Sequence, residues 1–276
     1  NDVELEHVPS LTLNDICHIA AITNNDYDYE DYIAVDPSAL RVTINAITSS
    51  ATTAEEQALG TFTRRKLKKL PNWRQWSKAE FRQLDHFADL EMYGEPQALP
   101  EQDEDDPYVV LRSHWQHAVK RCGTRRSRQC VDGSRRAAPI LHVLADSYSS
   151  CVNQPVQRLF MAISALKNNL LFGGDARDAY AHAWANFSQR TFVRVDPPYI
   201  EWYQARHGVK LDRSFVLPVL KAIQGHPEAG RLWEEHINKI LFSEDLKFTT
   251  TTHDHCIYRT VFNGEEVFLL RQTDDF

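Results

Sequence analysis

The strongest local constraint on this chain is Asn263-Gly264, set between two runs of alternating apolar residues. Asn-Gly suits the two-residue hairpin turn whose central residues both need positive φ. Cys256-Ile257-Tyr258-Arg259-Thr260-Val261-Phe262 therefore pairs with Glu266-Val267-Phe268-Leu269-Leu270-Arg271. The second strand runs on into Thr273-Asp274-Asp275-Phe276, so a hydrophobic strand delivers two adjacent carboxylates to its own end. Adjacent carboxylates repel one another, and a bound divalent cation is the usual compensation. The plainer reading of Asp-Asp is the start of a turn.

Earlier segments supply a frame around that hairpin. Val156, Leu159, Phe160, Ile163 and Leu166 share one face of a helix that follows Pro155 and ends near Asn168-Asn169. Leu170-Leu171-Phe172 then reads as a short buried strand, leading through Gly173-Gly174 to Asp175. Strands are expected over Thr191–Val195 and Ser214–Leu220. Pro227 opens the best helix, in which Ala229, Leu232, Trp233, His236, Ile237, Ile240 and Leu241 fall on one face. Nearer the start, the spacing of Trp73, Trp76, Phe81, Leu84, Phe87 and Leu90 predicts a helix from about Ser77, as its cap, to Tyr93, with Gly94 ending the pattern. The pattern is that of a mixed α+β protein.

Composition narrows the class. The 276 residues are 42% hydrophobic and 11% aromatic, enough for a sizeable core. No apolar run approaches the roughly 20 residues of a membrane span and no signal-peptide pattern opens the chain, so no membrane partner and an intracellular setting are expected. Five scattered cysteines without a C-x-x-C pattern read as reduced thiols. The chain opens on Asn rather than Met and stops directly after the carboxylate pair, as a piece of something longer would.

Charge is uneven. Residues 1–60 carry eleven Asp/Glu and one Arg, a balance of −10 against −7 for the whole chain, which leaves +3 for the remainder. Residues 1–62 read as an acidic, polar linker. Residues 110–136 hold eight Lys/Arg (Arg112, Lys120, Arg121, Arg125, Arg126, Arg128, Arg135, Arg136) against Asp132 alone, and Arg64-Arg65-Lys66 with Lys68-Lys69 forms a second cluster. Such clusters are the footprint of a phosphate-backbone binder, or plain solvated surface.

Asp175, like the terminal pair, ends an apolar run and is followed by small residues. Three carboxylates from two strand ends suit two magnesium ions, the recurring device of nucleotidyl transfer. His253-x-His255-Cys256 and His114-x-x-His117 lack zinc spacing, because a strand puts residues 253 and 255 on one face and Cys256 on the other. No phosphate-binding loop ending in Lys-Ser/Thr occurs, and no Asp-Ser/Thr-Gly protease motif.

Five motifs in order carry a family resemblance over roughly residues 63–276. They are Trp115 and Lys120 with Ser127-Arg128-Gln129-Cys130-Val131-Asp132-Gly133; Asp175-x-x-Asp178-Ala179-Tyr180; Gln224-Gly225-His226-Pro227-Glu228-Ala229 with Trp233; Asp254-His255-Cys256-Ile257-Tyr258; and Asp274-Asp275-Phe276. Together they resemble the reverse transcriptases of copia-type LTR retrotransposons. The resemblance implies a right-hand polymerase fold with fingers over 63–170 and a palm over 171–276, the thumb being absent from this chain and the palm stopping after the Asp pair.

It further implies an RNA-directed DNA polymerase that adds deoxynucleotides to a primer 3′-hydroxyl. Asp175, Asp274 and Asp275 would be the catalytic and metal-binding residues for two Mg²⁺, with Mn²⁺ as a substitute. Lys120, Arg128, Ala176, Arg177, Asp178, Ala179, Tyr180 and Lys221 would bind the deoxynucleoside triphosphate. Tyr180 would sit beneath the sugar and exclude a ribose 2′-hydroxyl, or else pack as a core tyrosine. Arg125, Arg126, Gln224, Gly225 and Pro227 would contact nucleic acid. Partners would be RNA and DNA template-primer and other segments of a Pol polyprotein, in the cytoplasm within a virus-like particle or in the nucleus.

Gln272, Thr273, Ala222 and Lys221 depart from the family pattern. They leave an alternative: a decayed or domesticated copy that binds nucleic acid without polymerising. A metal-dependent nuclease would share the carboxylates but not explain Tyr180 or Arg128.

Overall fold

The computed structural model describes residues 53, 55–56, 61–102, 106–120, 123–144 and 146–276. The chain divides into Asn1–Arg41, which lies outside the described residues, and a unit over Val42–Phe276. Nearly all of the expected linker lies outside the described residues as well. Its end does not: Glu56 is buried, and Thr53 and Glu56 satisfy each other's backbone N–H groups with their side chains. The packed fold therefore begins before residue 63, where the fingers were expected to start.

Beyond residue 60 the second unit continues with two helices, α1 (Arg64–Leu67) and α2 (Trp73–Asp89). Helix α2 starts four residues before the position expected from Ser77, because Pro71-Asn72 breaks the chain and leaves Trp73 free to enter the first turn. It ends at Leu90, followed by Glu91 in a left-handed conformation, so Gly94 is not the terminator. Its inward face carries Trp76, Ala79, Glu80, Leu84 and Phe87. The buried Glu80 carboxylate is held by Arg64 Nε at 2.9 Å.

Strand β1 (Tyr108–Leu111) leads into a hairpin of β2 (Ser113–Val119) and β3 (Arg125–Val131), paired from Ser113↔Val131 to Val119↔Arg125. Alternation gives this hairpin two unlike faces. Trp115, His117, Arg125, Ser127 and Gln129 share the face on which Trp76 stacks edge-on against His117. Gln116, Ala118, Arg126, Arg128 and Cys130 share the other.

Helices α3 (Leu141–Leu144) and α4 (Gln154–Leu166) follow. The extent of α4 agrees with its spacing, but its expected apolar face is open: Leu159 is 58% and Leu166 86% exposed, and Ser164 is its buried residue. Periodicity says which residues share a face and not what covers it. Leu170-Leu171-Phe172 also departs from expectation, being exposed and irregular rather than a buried strand. Among the described residues it has no backbone partner to pair with.

The rest forms the layer that carries the carboxylates. A 3₁₀ turn (Ala179–His182) precedes β4 (Arg190–Arg194), which pairs in parallel with β1 and antiparallel with β5 (Val216–Pro218). Helix α5 (Pro197–His207) lies between β4 and β5 in the chain, its first turn capped by the Asp196 carboxylate, which also accepts from Ser113, Trp115 and Gln129 of the β2–β3 hairpin. Helix α6 (Ala229–Leu241) buries Ala229, Leu232, Trp233, Ile237 and Leu241, the stripe expected from its spacing. Strand β6 (Thr249–Thr250) edges the hairpin of β7 (Ile257–Phe262) and β8 (Glu265–Leu270), whose two-residue turn has Asn263 at φ 51° and Gly264 at φ 86°. That is the primed turn that Asn-Gly favours.

Candidate active site

The β7–β8 hairpin ends in a second, tighter reversal. Gln272 and Asp275 exchange backbone hydrogen bonds of 2.8 and 3.0 Å, so Thr273 and Asp274 form its tip. Thr273 adopts φ 60°, which a β-branched residue resists at a cost of about 1–3 kcal/mol. The Trp233 indole of α6 donates to the Thr273 carbonyl at 2.7 Å and holds the tip in place. Just before it, the buried Arg271 guanidinium is satisfied by Tyr258 Oη and Glu234 Oε1. Both ends of the reversal are thus tied to neighbouring elements.

This reversal meets Asp175. Gly174 and Phe276 exchange backbone bonds of 3.0 and 2.8 Å, and Ala176 N donates to Asp274 O at 2.8 Å. Asp175 is bridged antiparallel to Asp275, in the pairing where side chains approach most closely. Carboxylates about a hundred positions apart are brought to one place. The Asp175 carboxyl is lifted above the ordinary range, first by burial and then by the charges of Asp274 and Asp275, with Arg128 opposing. Three hard oxygen donors suit Mg²⁺ or Mn²⁺ in kind. Among the described residues, however, no three such side chains converge into a formed metal site. The backbone frame for the triad is set, and the carboxylates are not gathered on one point.

Arg128 stands on the open face of β3. Among the described residues its guanidinium makes no hydrogen bond or ion pair, and its charge acts on Asp175 and Asp178. Asp178 sits at φ 48°, with His86 Nε2 of α2 at 3.1 Å, off the axis a hydrogen bond needs, and Arg177 Nε at 3.8 Å. Against the effect of burial, contact with His86 and the charges of Arg177 and Arg128 hold its carboxyl below the ordinary range. Tyr180 is half-buried between two core clusters, and burial together with Asp274 pushes its hydroxyl up. Its ring packs against both clusters on the side of the carboxylates.

Other expected contacts are otherwise employed. Arg125 was expected on nucleic acid, but its guanidinium grips the buried Glu56 carboxylate at 3.0 and 2.8 Å and the Gly123 carbonyl at 2.7 Å. Glu56 also accepts from Trp76 Nε1 and Asn72 Nδ2. Arg125→Ala is therefore expected to lower stability by about 2 kcal/mol in urea unfolding, by stranding a buried carboxylate, while leaving the salt dependence of nucleic-acid binding unchanged. A flattened salt slope at full stability would contradict this.

The Ala176 amide is engaged by Asp274 O and so is not open to a triphosphate as expected, and Ala179 is buried in the cluster that holds Trp233 and Ile237. Gln224 O accepts from Val131 N. Gly225, at φ 95°, lies so near Val131 that an added Cβ would fall 2.1 Å from its carbonyl oxygen, and at Gly133 one would meet Gly225 O at 2.4 Å and Pro227 Cδ at 2.8 Å. Close packing of this loop on the end of β3 accounts for Gly225 and Pro227 without a nucleic-acid contact. Lys221 Nζ stands 3.3 Å from the Trp184 ring centroid. Arg126 shares the open face with Arg128, and exposed Lys120 sits at the hairpin tip with its N–H donating to Thr124 O.

Sequence reasoning missed His86, Arg271 and the Trp233–Thr273 bond. Only Trp233 carried a signal, as part of a motif. No helix among the described residues is long and apolar enough to cross a membrane. No family model matches the chain, and neither does any curated protein or solved structure.

Proposed function

We propose that this chain is a reverse-transcriptase-like module for nucleotidyl transfer, taking a nucleic-acid primer-template and deoxynucleoside triphosphates. One observation carries the reading: Asp175 and the Asp274-Asp275 reversal meet across a backbone bridge, with the charge of Arg128 acting on Asp175 and no hydrogen bond or ion pair of that guanidinium among the described residues. Asp175, Asp274 and Asp275 would hold Mg²⁺ after rotation of their side chains. Divalent cations so held supply charge neutralisation and activation of the attacking hydroxyl.

The chain's own groups account for the rest. Arg128 would meet triphosphate oxygens with a planar pair of donors. Tyr180 bounds the space beside Asp274, and its ring limits what fits beneath a sugar. The open face of the β2–β3 hairpin, with Arg126 and exposed Lys120, offers charge to a phosphate backbone.

The test is retention of a labelled deoxynucleoside triphosphate by the chain with primer-template, with and without Mg²⁺. Arg128→Gln is expected to weaken retention by about 10- to 100-fold, the worth of a charge-assisted hydrogen bond or two. Retention indifferent to both Mg²⁺ and Arg128 would overturn the reading. A chain that binds the primer-template but never the nucleotide would instead identify a nucleic-acid binder that does not polymerise.

A further inference from the structure

Trp184 and Lys221 face each other across a short backbone bridge, flanked by hydrogen bonds from Ala185 N to Leu220 O at 2.9 Å and from Ala222 N to Ala183 O at 2.8 Å. Both alanines on the inner side, Ala183 and Ala222, are buried, yet the indole between them in the fold is 57% exposed. A large aromatic ring on regular, well-packed backbone forgoes the gain of burial and is presented to solvent. One of its faces is covered by the Lys221 ammonium, 3.3 Å from the ring centroid.

The surroundings are basic. His182, Lys221 and Lys239 act on His236, while Glu91 is the carboxylate that acts on Lys221. Lys221 and Asp178 both act on His182, which links this patch to the carboxylate site. The ammonium groups of Lys221 and Lys239 are the permanent charges of this patch, with Glu91 acting on Lys221, and an added anion would be attracted to them. Exposed ring and unbalanced positive charge together match the repeat of base and phosphate in a single strand.

We infer that Trp184 and Lys221 form a stacking platform for a base of a nucleic-acid strand, with the Lys221 ammonium serving an adjoining phosphate. The inference rests on the nucleic-acid reading above and adds a contact surface to it. Lys221 thereby contacts the strand rather than the triphosphate.

The experiment is fluorescence anisotropy of a labelled oligothymidylate, and of an abasic strand of equal length, with the whole chain in the absence of divalent metal. Trp184→Ala is expected to weaken binding of the base-bearing strand by about 5- to 100-fold, to change abasic binding less than about twofold, and to be rescued largely by Trp184→Phe. Lys221→Gln is expected to weaken both strands and to reduce the log–log salt slope by about 0.7. Equal losses for the two strands on Trp184→Ala, or no recovery with Phe, would overturn the platform. A parent chain that binds neither strand would overturn it as well. Because no metal or nucleotide is present, loss of the platform alone leaves the Mg²⁺-dependent nucleotide test to stand or fall separately.

Discussion

On the proposed metal-holding role of the aspartates, Asp274→Asn is expected to weaken Mn²⁺ binding by at least about a hundredfold, roughly 3 kcal/mol, and at the same time to raise the melting temperature of the metal-free protein. Both effects come from the same geometry. Asp175 is bridged to Asp275, and Ala176 N binds Asp274 O, so the backbone that carries the three aspartates is held in register by bonds that a side-chain change leaves intact. The Asp175 carboxyl is raised by burial and by its two acidic neighbours. A carboxyl whose folded pKa is raised binds protons better when folded, so in the metal-free state the site costs stability as pH rises through its titration.

Removing one charge relieves that cost. For charges several Å apart and largely in water the relief is about 1 kcal/mol, or about 2–4 °C in a domain of this size. Electron paramagnetic resonance of Mn²⁺ and a thermal melt in chelator measure the two halves. Unaltered Mn²⁺ affinity would remove Asp274 from any metal site, and a lower melting temperature would mean that the reversal depends on the carboxylate for its shape.

Acid is expected to destabilise the fold well above the range where carboxylates protonate. His117 and His226 are both pushed down to about 4 from 6.5 by burial, His117 further by Arg64 and His226 by His142, with Glu228 opposing at His226. His117 faces Ser127 and the edge of Trp76, and His226 stacks on Phe187 with its Nδ1 accepting from Glu228 N. Between pH 6.5 and 4 the unfolded chain binds a proton at each position and the folded chain does not. Stability is therefore intact above about pH 6.5 and falls as pH drops toward 4.

Each ring contributes about 2–3 kcal/mol to that fall by pH 4.5. Glu80, raised by burial, offsets part of it, because its proton binds more tightly in the folded state. The two histidines lie in different parts of the core and should act additively, which makes the sum comparable to the whole stability of a marginal domain. Urea unfolding at pH 7.5 and 4.5 measures the loss, and His226→Gln should remove about half of it. An equal midpoint at both pH values would refute the assignment.

How much of this was legible beforehand differs by element. The β7–β8 hairpin could be read because its turn depends on two residues that tolerate positive φ, and Asn263 and Gly264 supply both. Helix α6 could be read because its apolar stripe has a core to meet, from Ala229 to Leu241. Helix α2 was legible as a helix but not at its start, since Asn72 and Ser77 are both acceptable caps and only the path of the chain after Pro71 chooses between them. In α4 and Leu170–Phe172 the pattern was the same kind of signal, yet burial did not follow.

The site divides in the same way. The sequence by itself determined which groups are available: three aspartates at the ends of apolar runs, a basic hairpin, and small residues after Asp175. Only tertiary structure decided that Asp175 meets Asp275, that Arg125 goes to Glu56 while Arg128 goes to the carboxylates, and that His86 comes from α2 to Asp178. Arg125 and Arg128 are indistinguishable as residue types. They part because a strand sends positions an odd number apart to opposite faces, and because the buried Glu56 lies on one side and Asp175 on the other. Turn geometry and helical spacing are settled within a few residues by backbone sterics. The partner of a charge is settled by which distant segment supplies its counter-charge, and that information exists only once the chain has closed its long loops.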